Sequence, residues 1–446
     1  MDKIVNYKQA ASVTAFETED IPTLVQELKK LLNDEFPCFV YFQKEFEKQV
    51  KLLQQSFPDA SIRFAMKANS NKSVLKLFEM NGLHFDCSSV YEVQRVISAG
   101  IDASKIELVS QEITQKSLSY LSKLEGCEKL RIIASSSKQL ELLGKSQFKN
   151  QVQGIRINPG EGSGASLKTI VSGPRYSFGI WFEQIDSIIQ KADELGIKIK
   201  TVHSHIGAGT DPNNWLEIAE IQLKLIEEKF RDVVIVNLGG GFKISRNDSE
   251  LETNVSLLGQ AIVQKIQNFK KKTGRDLKLE IEPGIFLTAN SGILITEIVD
   301  IVSTENNTHE EQGFKFPKVD SGLNDIIRPS LYGSRHQIKA VSLNKPEKSA
   351  HTEMCVVVGH CCESGDLITC KPGESEIPEP IPLLDPQIGD YLAIKGTGAY
   401  CSSMSLKNYN SFPEISEVMV TSNNEIKIIR DRQDALAISK NEFQIY

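Results

Sequence analysis

Short apolar runs alternate with longer amphipathic stretches from about residue 36 to residue 290. The apolar runs have the length of buried strands, and they read CFVYF, IRFAM, KIELV, LRIIA, GIRI, KTVHSHI, VVIVNLGGG and LKLEIEPG. The stretches between them carry apolar residues at helical spacing, as in NKSVLKLFEMNG, SVYEVQRVISAGI, SKQLELLGK, EQIDSIIQKADELGI and WLEIAEIQLKLIEEKF. About eight strand–helix units in roughly 250 residues predict an α/β fold with a (β/α)8 barrel. A doubly wound open sheet is the structural alternative.

The pattern changes after about residue 290. Strand-like runs separated by Gly, Pro and Asn turns predict a mostly β domain, and they read GILITEIVDIVS, TEMCVVVGH, YLAIKG and EVMVTSNNEIKII. The Pro-rich stretch 371–390 reads as a surface loop, and 21–33 reads as a helix outside the barrel. We therefore expect a barrel domain over residues 36–290 and a β-rich domain made of residues 1–35 and 291–446.

Composition and charge narrow the class of protein. The 446 residues are 40% hydrophobic and 24% charged, which is ordinary for a globular protein, and the formal net charge is −7. This mildly acidic balance argues against nucleic-acid binding, which needs clustered basic residues. No apolar run approaches the roughly 20 residues of a membrane span, and the N-terminal segment lacks the apolar core of a signal peptide. Eight cysteines without CxxC spacing are typical of reduced thiols, so we expect a cytoplasmic protein.

Lys67 stands at the end of a strand-like run, in the segment FAMKAN. Because most lysines are exposed, a solvent-facing lysine is the simplest interpretation. The alternative is a partly desolvated ammonium, since burial lowers a lysine pKa and the neutral amine can form a Schiff base.

Two later runs also end in unusual residues. The HSHIGAG segment contains His203 and His205, whose H-x-H spacing places both rings on one side of a strand. A metal site lacks a third ligand at matching spacing, whereas a flat imidazole can stack on an aromatic ligand. Gly239, Gly240 and Gly241 end the next run. Their backbone N–H groups can bind a phosphate, or the three glycines can simply form a turn.

Glu282 follows the last apolar run of the barrel region and precedes Pro283. A carboxylate at the end of a buried strand needs a cationic or protonated partner. Two loops of the β-rich region also carry polar groups: HCCESGDLI, with Cys362 and Glu363, and GTGAYCSSMSLKNYN, with Tyr400. A metal at the first loop lacks a second pair of ligands.

One ligand accounts for most of these features together. Pyridoxal 5′-phosphate presents an aldehyde for Lys67, a phosphate for the glycine run and a flat ring for a stacking histidine. Glu282 can keep its pyridine nitrogen protonated, which makes the ring an electron sink. The sequence therefore predicts an enzyme that uses this cofactor.

The chain resembles the fold-type III pyridoxal-phosphate decarboxylases, whose barrel is related to that of alanine racemase, and among them it is most similar to diaminopimelate decarboxylase. The matching segments follow the order of the family over residues 36–415, and they read FAMKAN, FDCSSVYEV, HSHIGAG, LGGGF, EPG, VDSGLNDIIRPSLY, CESGDLI and GAYCSSMSLKNYN. The resemblance implies decarboxylation of meso-diaminopimelate to L-lysine and CO2.

The resemblance also implies roles for individual residues. Lys67 corresponds to the Schiff-base lysine, His205 to the residue stacked on the cofactor ring, and Glu282 to the partner of the pyridine nitrogen. Cys362 corresponds to a catalytic cysteine that is supplied across a homodimer interface and linked to reprotonation of the product. The other matched positions hold the cofactor (Asp86, Arg156, Gly239, Gly240, Gly241 and Tyr400) or the substrate (Arg328, Tyr332, Glu363 and Tyr400).

Two positions depart from the family pattern. Ile285 stands where the family usually has the arginine of E-P-G-R, and Ala208 stands where a phosphate-binding serine is common. The missing arginine leaves open a decarboxylase of another basic amino acid, such as D-ornithine, D-lysine, or the ornithine and arginine class. A racemase would have a catalytic tyrosine where this chain has the CESGD loop. A non-catalytic binding or regulatory homologue has no need to keep Lys67, Glu282 and Cys362 together.

Overall fold

The computed structural model of the protein describes residues 21–162, 164, 167–247, 250–305, 312–343 and 351–446. Within these residues the strands are β1 (Cys38–Phe42), β2 (Ser61–Ala65), β3 (His84–Cys87), β4 (Ile106–Leu108), β5 (Arg131–Ala134), β6 (Val152–Asn158), β7 (Ile180–Trp181), β8 (Thr201–His203), β9 (Ile235–Asn237), β10 (Lys278–Ile281), β11 (Gly292–Ser303), β12 (Lys315–Val319), β13 (Ile338–Val341), β14 (Thr352–Cys355), β15 (Cys370–Lys371), β16 (Glu374–Pro378), β17 (Ile381–Leu384), β18 (Tyr391–Lys395), β19 (Ser416–Val420) and β20 (Ile426–Arg430). The α-helices are α1 (Ile21–Leu31), α2 (Gln43–Ser56), α3 (Lys72–Met80), α4 (Val90–Ile97), α5 (Gln115–Leu121), α6 (Ser137–Gly144), α7 (Ile185–Leu195), α8 (Pro212–Lys229), α9 (Val255–Thr273), α10 (Ile285–Thr288) and α11 (Arg328–Tyr332).

Two compact units divide the chain. The described residues of the first unit fall within Glu47–Ile244 and Leu251–Leu287, and those of the second fall within 11–46, 245–250 and 288–446. No helix among the described residues combines the length and the apolar composition needed to cross a bilayer.

Eight parallel strands form a closed barrel in the first unit. The ring runs β2, β3, β4, β5, β6, β8, β9, β10 and back to β2, and β7 pairs with β6 outside it. Helices of 7 to 19 residues separate successive barrel strands, which is the kind of crossover that neighbouring parallel strands need. The predicted (β/α)8 barrel is confirmed.

The membership of the barrel differs from the prediction at one strand. The run CFVYF forms β1, which pairs with β11 and β19 in the sheet of the second unit, so assigning residues 36–46 to the barrel was wrong. The eighth barrel strand is β3, which pairs with β2 and β4. Its four residues include His84 and Asp86, and this polar composition hid the strand from a search for apolar runs.

Local signals fix the strand–helix connections near the barrel mouth. Ser89 precedes α4, and its side chain accepts a hydrogen bond from the backbone N–H of Glu92. Glu92 reaches back to the N–H of Ser88 at 2.6 Å, which completes a reciprocal capping arrangement at the end of β3. This turn holds the segment 86–88 in one conformation beside the end of β2.

The second unit is built on a nine-stranded sheet in which β1 lies between β11 and β19. Helix α1 covers this sheet, because Ile21, Val25 and Leu28 pack with Cys38 and Val40 in one buried cluster. The mostly β character predicted after residue 290 is therefore present. The stretch 371–390 is not simply a loop, since it contains β16 and β17, which tolerate proline because neither is an interior strand.

Candidate active site

The carboxyl ends of the parallel strands gather most of the predicted residues at one end of the barrel. Lys67 lies in a short 3-10 turn after β2, and its ammonium is 3.2 Å from Ser88 Oγ and 3.5 Å from Asp86 Oδ2. The Lys67 side chain is 42% exposed, whereas that of Asp86 is 4% exposed. An amine held against a buried carboxyl and still open on one side can react with a ligand that enters the mouth.

Glu282 is buried at the end of β10 and is held by two neighbours. Asn237 Nδ2 donates to Oε1 at 2.7 Å, and His203 Nε2 lies 2.9 Å from Oε2. Burial, together with the charge of Arg156, lowers the pKa of His203 to about 3, which keeps the ring neutral. Burial raises the pKa of Glu282, which Lys67 partly opposes. The carboxyl is thus fixed in orientation and prepared for a cationic partner.

His205 lies just beyond β8 with a neutral ring, since burial keeps its pKa well below 6.5. The N–H of Gly240 donates to His205 Nδ1 at 3.3 Å, and that of Gly239 donates to Asn237 Oδ1 at 2.9 Å. A Cβ atom on Gly240 would lie 1.9 Å from the carbonyl oxygen of Glu282. The glycine run is therefore required by close packing of the strand ends, and its phosphate-binding role stays a prediction.

Arg156 and Asp86 carry buried polar atoms with nothing to bind within the described part of the chain. Arg156 Nε, Asp86 Oδ1 and His203 Nδ1 all lack a hydrogen-bond partner there. Burial, and next to it Glu282, raises the pKa of Asp86, while the Arg156 guanidinium lies over the Phe178 ring at 5.3 Å. Unpaired buried polar atoms beside a reactive amine are what a polar ligand would satisfy.

A second polar layer lies deeper in the barrel and was not predicted. Arg131 pairs with both Glu107 and Glu280, and Arg63 Nε donates to Glu280 Oε2 at 3.1 Å. Burial raises the pKa of Glu107 to about 7 despite the two arginines. Asn237 Nδ2 lies 3.4 Å from Glu107 Oε1, so the layer contacts the group that holds Glu282. These charges sit inside strands that read as apolar, which is why the sequence pattern did not reveal their pairing.

In the second unit the CESGD loop is wrapped around the buried carboxylate of Asp366. Its oxygens accept from the N–H of Leu323 at 2.7 Å and from that of Cys361 at 2.8 Å. Cys362 and Glu363 are exposed on the outside of this loop. The backbone N–H of Cys362 donates to Asn410 Oδ1 at 2.9 Å, which ties the loop to the GAYCSSMSLKNYN segment.

The remaining predicted residues also lie in the second unit. Arg328 begins α11 and lies over the Tyr332 ring at 5.4 Å, while its Nη2 donates to Ser334 Oγ at 3.3 Å. Tyr400 has a φ of 56°, which is uncommon for a residue with a side chain and is typical of functional loops. Six of the predicted features thus lie in the barrel unit (Lys67, Asp86, Arg156, His205, Glu282 and the glycine run), and five lie in the β-rich unit (Arg328, Tyr332, Cys362, Glu363 and Tyr400).

Comparison with known proteins agrees with this geometry. Residues 43–289 match the family model described as pyridoxal-dependent decarboxylase, pyridoxal binding domain. A diaminopimelate decarboxylase of Streptomyces coelicolor is 31% identical over 387 residues, which is 86% of this chain and 84% of that protein. A crystal structure of a diaminopimelate decarboxylase superposes with a TM-score of 0.86 at 29% identity, covering 97% of this chain and 99% of the other. The Helicobacter pylori enzyme, crystallised with L-lysine, superposes with a TM-score of 0.78 at 25% identity, covering 94% and 99%.

The barrel and the matched binding domain define the class, a fold-type III pyridoxal-dependent decarboxylase. Within this class, the chain belongs to the diaminopimelate decarboxylase family, to which the relatives align over most of both chains. The resemblance read from the sequence is confirmed, and so is the prediction of an enzyme.

Proposed function

We propose that the protein binds pyridoxal 5′-phosphate at Lys67 and decarboxylates meso-diaminopimelate to L-lysine and CO2. The observation that carries the proposal is the group at the barrel mouth, where a partly exposed amine adjoins a buried carboxyl and a second buried carboxyl is hydrogen-bonded to two neighbours. Membership of the diaminopimelate decarboxylase family supports the substrate, as does the L-lysine bound in the Helicobacter pylori enzyme.

The residues present fit the cofactor. Lys67 offers the amine, and the neutral ring of His205 offers a flat stacking surface. Gly239, Gly240 and Gly241 stand where a Cβ atom would clash with neighbouring backbone, so this turn carries no side chain that could block a ligand. The unpaired atoms of Asp86 and Arg156 offer a buried acceptor and a buried donor for the polar groups of the ligand. Bound pyridoxal phosphate supplies an aldehyde that captures amines and a ring that accepts the electron pair left when CO2 departs.

Glu282 has the most defined part in the chemistry. Asn237 and His203 leave its carboxyl no freedom to turn away from the barrel mouth, so it can hold a proton at the ring nitrogen. Burial raises the pKa of Glu282, and a cation beside the carboxyl would lower it again. A protonated ring nitrogen would be such a cation, and the nitrogen and the carboxyl would then share the proton. Electron acceptance by the ring is strongest while that proton stays in place.

The β-rich unit carries the groups assigned to the substrate and to protonation. Cys362 is the proposed donor that returns a proton to the product carbon, and its exposure on the CESGD loop leaves the thiol accessible. Arg328, Tyr332, Glu363 and Tyr400 are the proposed contacts of the substrate, and Tyr400 also of the cofactor phosphate. We further propose a homodimer in which each active site takes the CESGD loop from the partner chain, and a cytoplasmic location.

A second candidate substrate rests on Ile285, which begins α10 where an arginine would supply a positive charge. A site without that charge suits a diamino acid lacking a second carboxylate, such as D-lysine or D-ornithine. The choice can be made by measuring CO2 release from meso-diaminopimelate and from both enantiomers of lysine and ornithine, with L-arginine as a further substrate. Turnover of D-lysine or D-ornithine without turnover of meso-diaminopimelate would refute the proposed substrate while leaving the family unchanged.

Attachment of the cofactor is tested separately. Purified protein should absorb in the visible range, and borohydride reduction should fix the cofactor on the peptide that contains Lys67. Lys67→Ala should keep no covalently bound cofactor after reduction. Retention of covalent cofactor by that variant would contradict the assignment of Lys67.

A further inference from the structure

Arg246 is a buried guanidinium in the second unit that the family pattern does not assign. The residue is 6% exposed, and its Nε donates to the carbonyl oxygen of Gly396 at 3.1 Å. The aliphatic part of the side chain packs on the same glycine, since a Cβ atom there would lie 2.9 Å from Arg246 Cγ. The side chain is therefore fixed in place, and its Nη2 has no hydrogen-bond partner among the described residues.

Arg328 adds a second cation to the same neighbourhood. Burial raises the pKa of Cys401 to about 11, and both guanidinium groups oppose that shift. Burial lowers the pKa of His336 to about 3, and both guanidinium groups add to that shift. Arg328 Nε and His336 Nε2 are also buried and unpartnered within the described part of the chain. His336 Nδ1 lies 2.8 Å from the carbonyl oxygen of Lys395, the residue before the Gly396 that Arg246 contacts, so the imidazole and this guanidinium lie on adjacent backbone carbonyls. The two arginines and the neutral imidazole each have an unused buried polar atom in this neighbourhood, although the two like charges repel.

The Arg246 guanidinium has a backbone carbonyl as its partner at Nε, and its Nη2 is left without a partner among the described residues. Burial, and next to it Arg328, lowers the pKa of Arg246 to about 9, while Glu250 opposes the shift. Glu250 Oε2 accepts from the backbone N–H of Arg246 at 3.1 Å. A buried cation without an ion pair is costly, and an oxyanion that pairs with it from outside the protein would remove that cost.

We propose that Arg246 and Arg328 together form an oxyanion site that binds the distal carboxylate of the amino-acid substrate. Two fixed guanidinium groups match a carboxylate, which accepts charged hydrogen bonds at both oxygens. The inference rests on the proposed function and explains how a chain with Ile285 in place of the arginine of E-P-G-R can select a substrate with two carboxylates. The missing positive charge is supplied five residues after the glycine run rather than next to Pro283 and Gly284.

Binding of two product molecules to the cofactor-loaded enzyme tests the site without turnover. L-lysine keeps the distal carboxylate of meso-diaminopimelate, and cadaverine is the same molecule without it. In calorimetry, wild-type enzyme should bind L-lysine at least about tenfold more tightly than cadaverine, and Arg246→Met should lose most of that preference. The same variant should lower kcat/KM for meso-diaminopimelate by about 10- to 100-fold, the range for one charged hydrogen-bonding partner, and leave that for D-lysine within about threefold.

Three variants serve as controls. Arg246→Lys should retain part of the preference, because a charge remains. Arg335→Met removes a guanidinium that pairs with Glu379 in the same unit. This variant should change neither the preference for L-lysine over cadaverine nor the ratio of kcat/KM between meso-diaminopimelate and D-lysine. Asp248 lies outside the described residues, so Asp248→Asn is included and should also leave the preference intact. The unfolding midpoint and the cofactor content of each variant show whether it folds and loads normally, and Arg328→Met repeats the test if Arg246→Met does not fold.

The outcomes separate the inference from the function on which it rests. The site is refuted if loaded Arg246→Met keeps the preference for L-lysine, or if Asp248→Asn loses it to the same extent. Equal losses on both substrates together with loss of cofactor would assign Arg246 to the cofactor phosphate and also refute the proposal. Wild-type enzyme that accepts D-lysine but not meso-diaminopimelate would refute the function, and the oxyanion site would then stand only if L-lysine is still preferred through Arg246.

Discussion

Replacing Arg131 by leucine should destabilise the barrel strongly. The Arg131 side chain is 15% exposed and pairs with Glu107 and Glu280, whose side chains are 0% and 1% exposed. Arg63 remains for Glu280, but Glu107 loses its contact with Arg131 and, among the described residues, keeps a weak one with Asn237 at 3.4 Å. Leaving one buried carboxylate unpaired costs about 3–5 kcal/mol of the free energy of unfolding.

Urea unfolding followed by tryptophan fluorescence reports on the barrel unit, because Trp181 and Trp215, the two tryptophans of the chain, both lie in it. With a slope of about 3 kcal/mol per molar urea, the midpoint should fall by roughly 1–2 M. The deficit should be smaller near pH 5.5 than near pH 8. When burial raises the pKa of a carboxyl in the folded state, the protein loses stability as the pH rises from the unfolded pKa of that group through its folded pKa. Burial already raises the pKa of Glu107 to about 7, and removing Arg131 should raise it further.

A double variant decides whether charge pairing is the cause. Arg131→Leu combined with Glu107→Leu leaves the neutral pair of Arg63 and Glu280, and should recover most of the lost stability. The reasoning is refuted if Arg131→Leu costs less than about 1 kcal/mol, or if the two substitutions simply add.

Three other substitutions test the site. Asn237→Asp replaces the donor to Glu282 by an acceptor, so kcat/KM should fall by about 10- to 100-fold, and an unchanged value in a pH–rate profile would contradict the role of Asn237. Gly240→Ala places a Cβ atom 1.9 Å from a carbonyl oxygen, so the cofactor absorbance per chain should drop sharply, and normal loading would show that the strand ends can shift. Inactive Lys67→Ala and Cys362→Ala chains, mixed under conditions of subunit exchange, should recover up to about a quarter of the activity if sites are shared in a two-fold dimer. No recovery despite proven exchange would count against shared sites.

Much of the fold was predictable because periodicity reports burial. The helices α3, α4, α6 and α7 fall within the amphipathic stretches chosen from the sequence, and α8 begins three residues before the stretch chosen for it. The pattern failed at β1 and β3 for one physical reason, which is that apolarity measures burial and does not identify the partner. Central strands of two different sheets look alike, as CFVYF shows, and a barrel strand whose residues carry chemistry does not look like a strand.

The site was predictable where a residue type is unusual for its place, as with Lys67, Glu282 and the glycine run. Asn237 and Arg246 were missed because neither an amide at the end of an apolar run nor an arginine in a polar loop is unusual for its place. Their importance comes from contacts with residues distant in the chain, which only the fold creates. The roles assigned to Cys362, Glu363 and Tyr332 depend on resemblance and on the experiments above.

The position of β1 between β11 and β19 determines how long this strand waits for its partners while the chain is being synthesised. Cys38 pairs with Ile295 in β11 and with Ser416 in β19, so the second partner is made 378 residues after the first residue of the strand. At roughly 5–20 residues per second, the ribosome needs about 20–75 s to supply it. During that interval the strand keeps an unpaired edge, the kind of edge that pairs with other chains. Chains released before β19 is made are therefore expected to aggregate even when the barrel has formed.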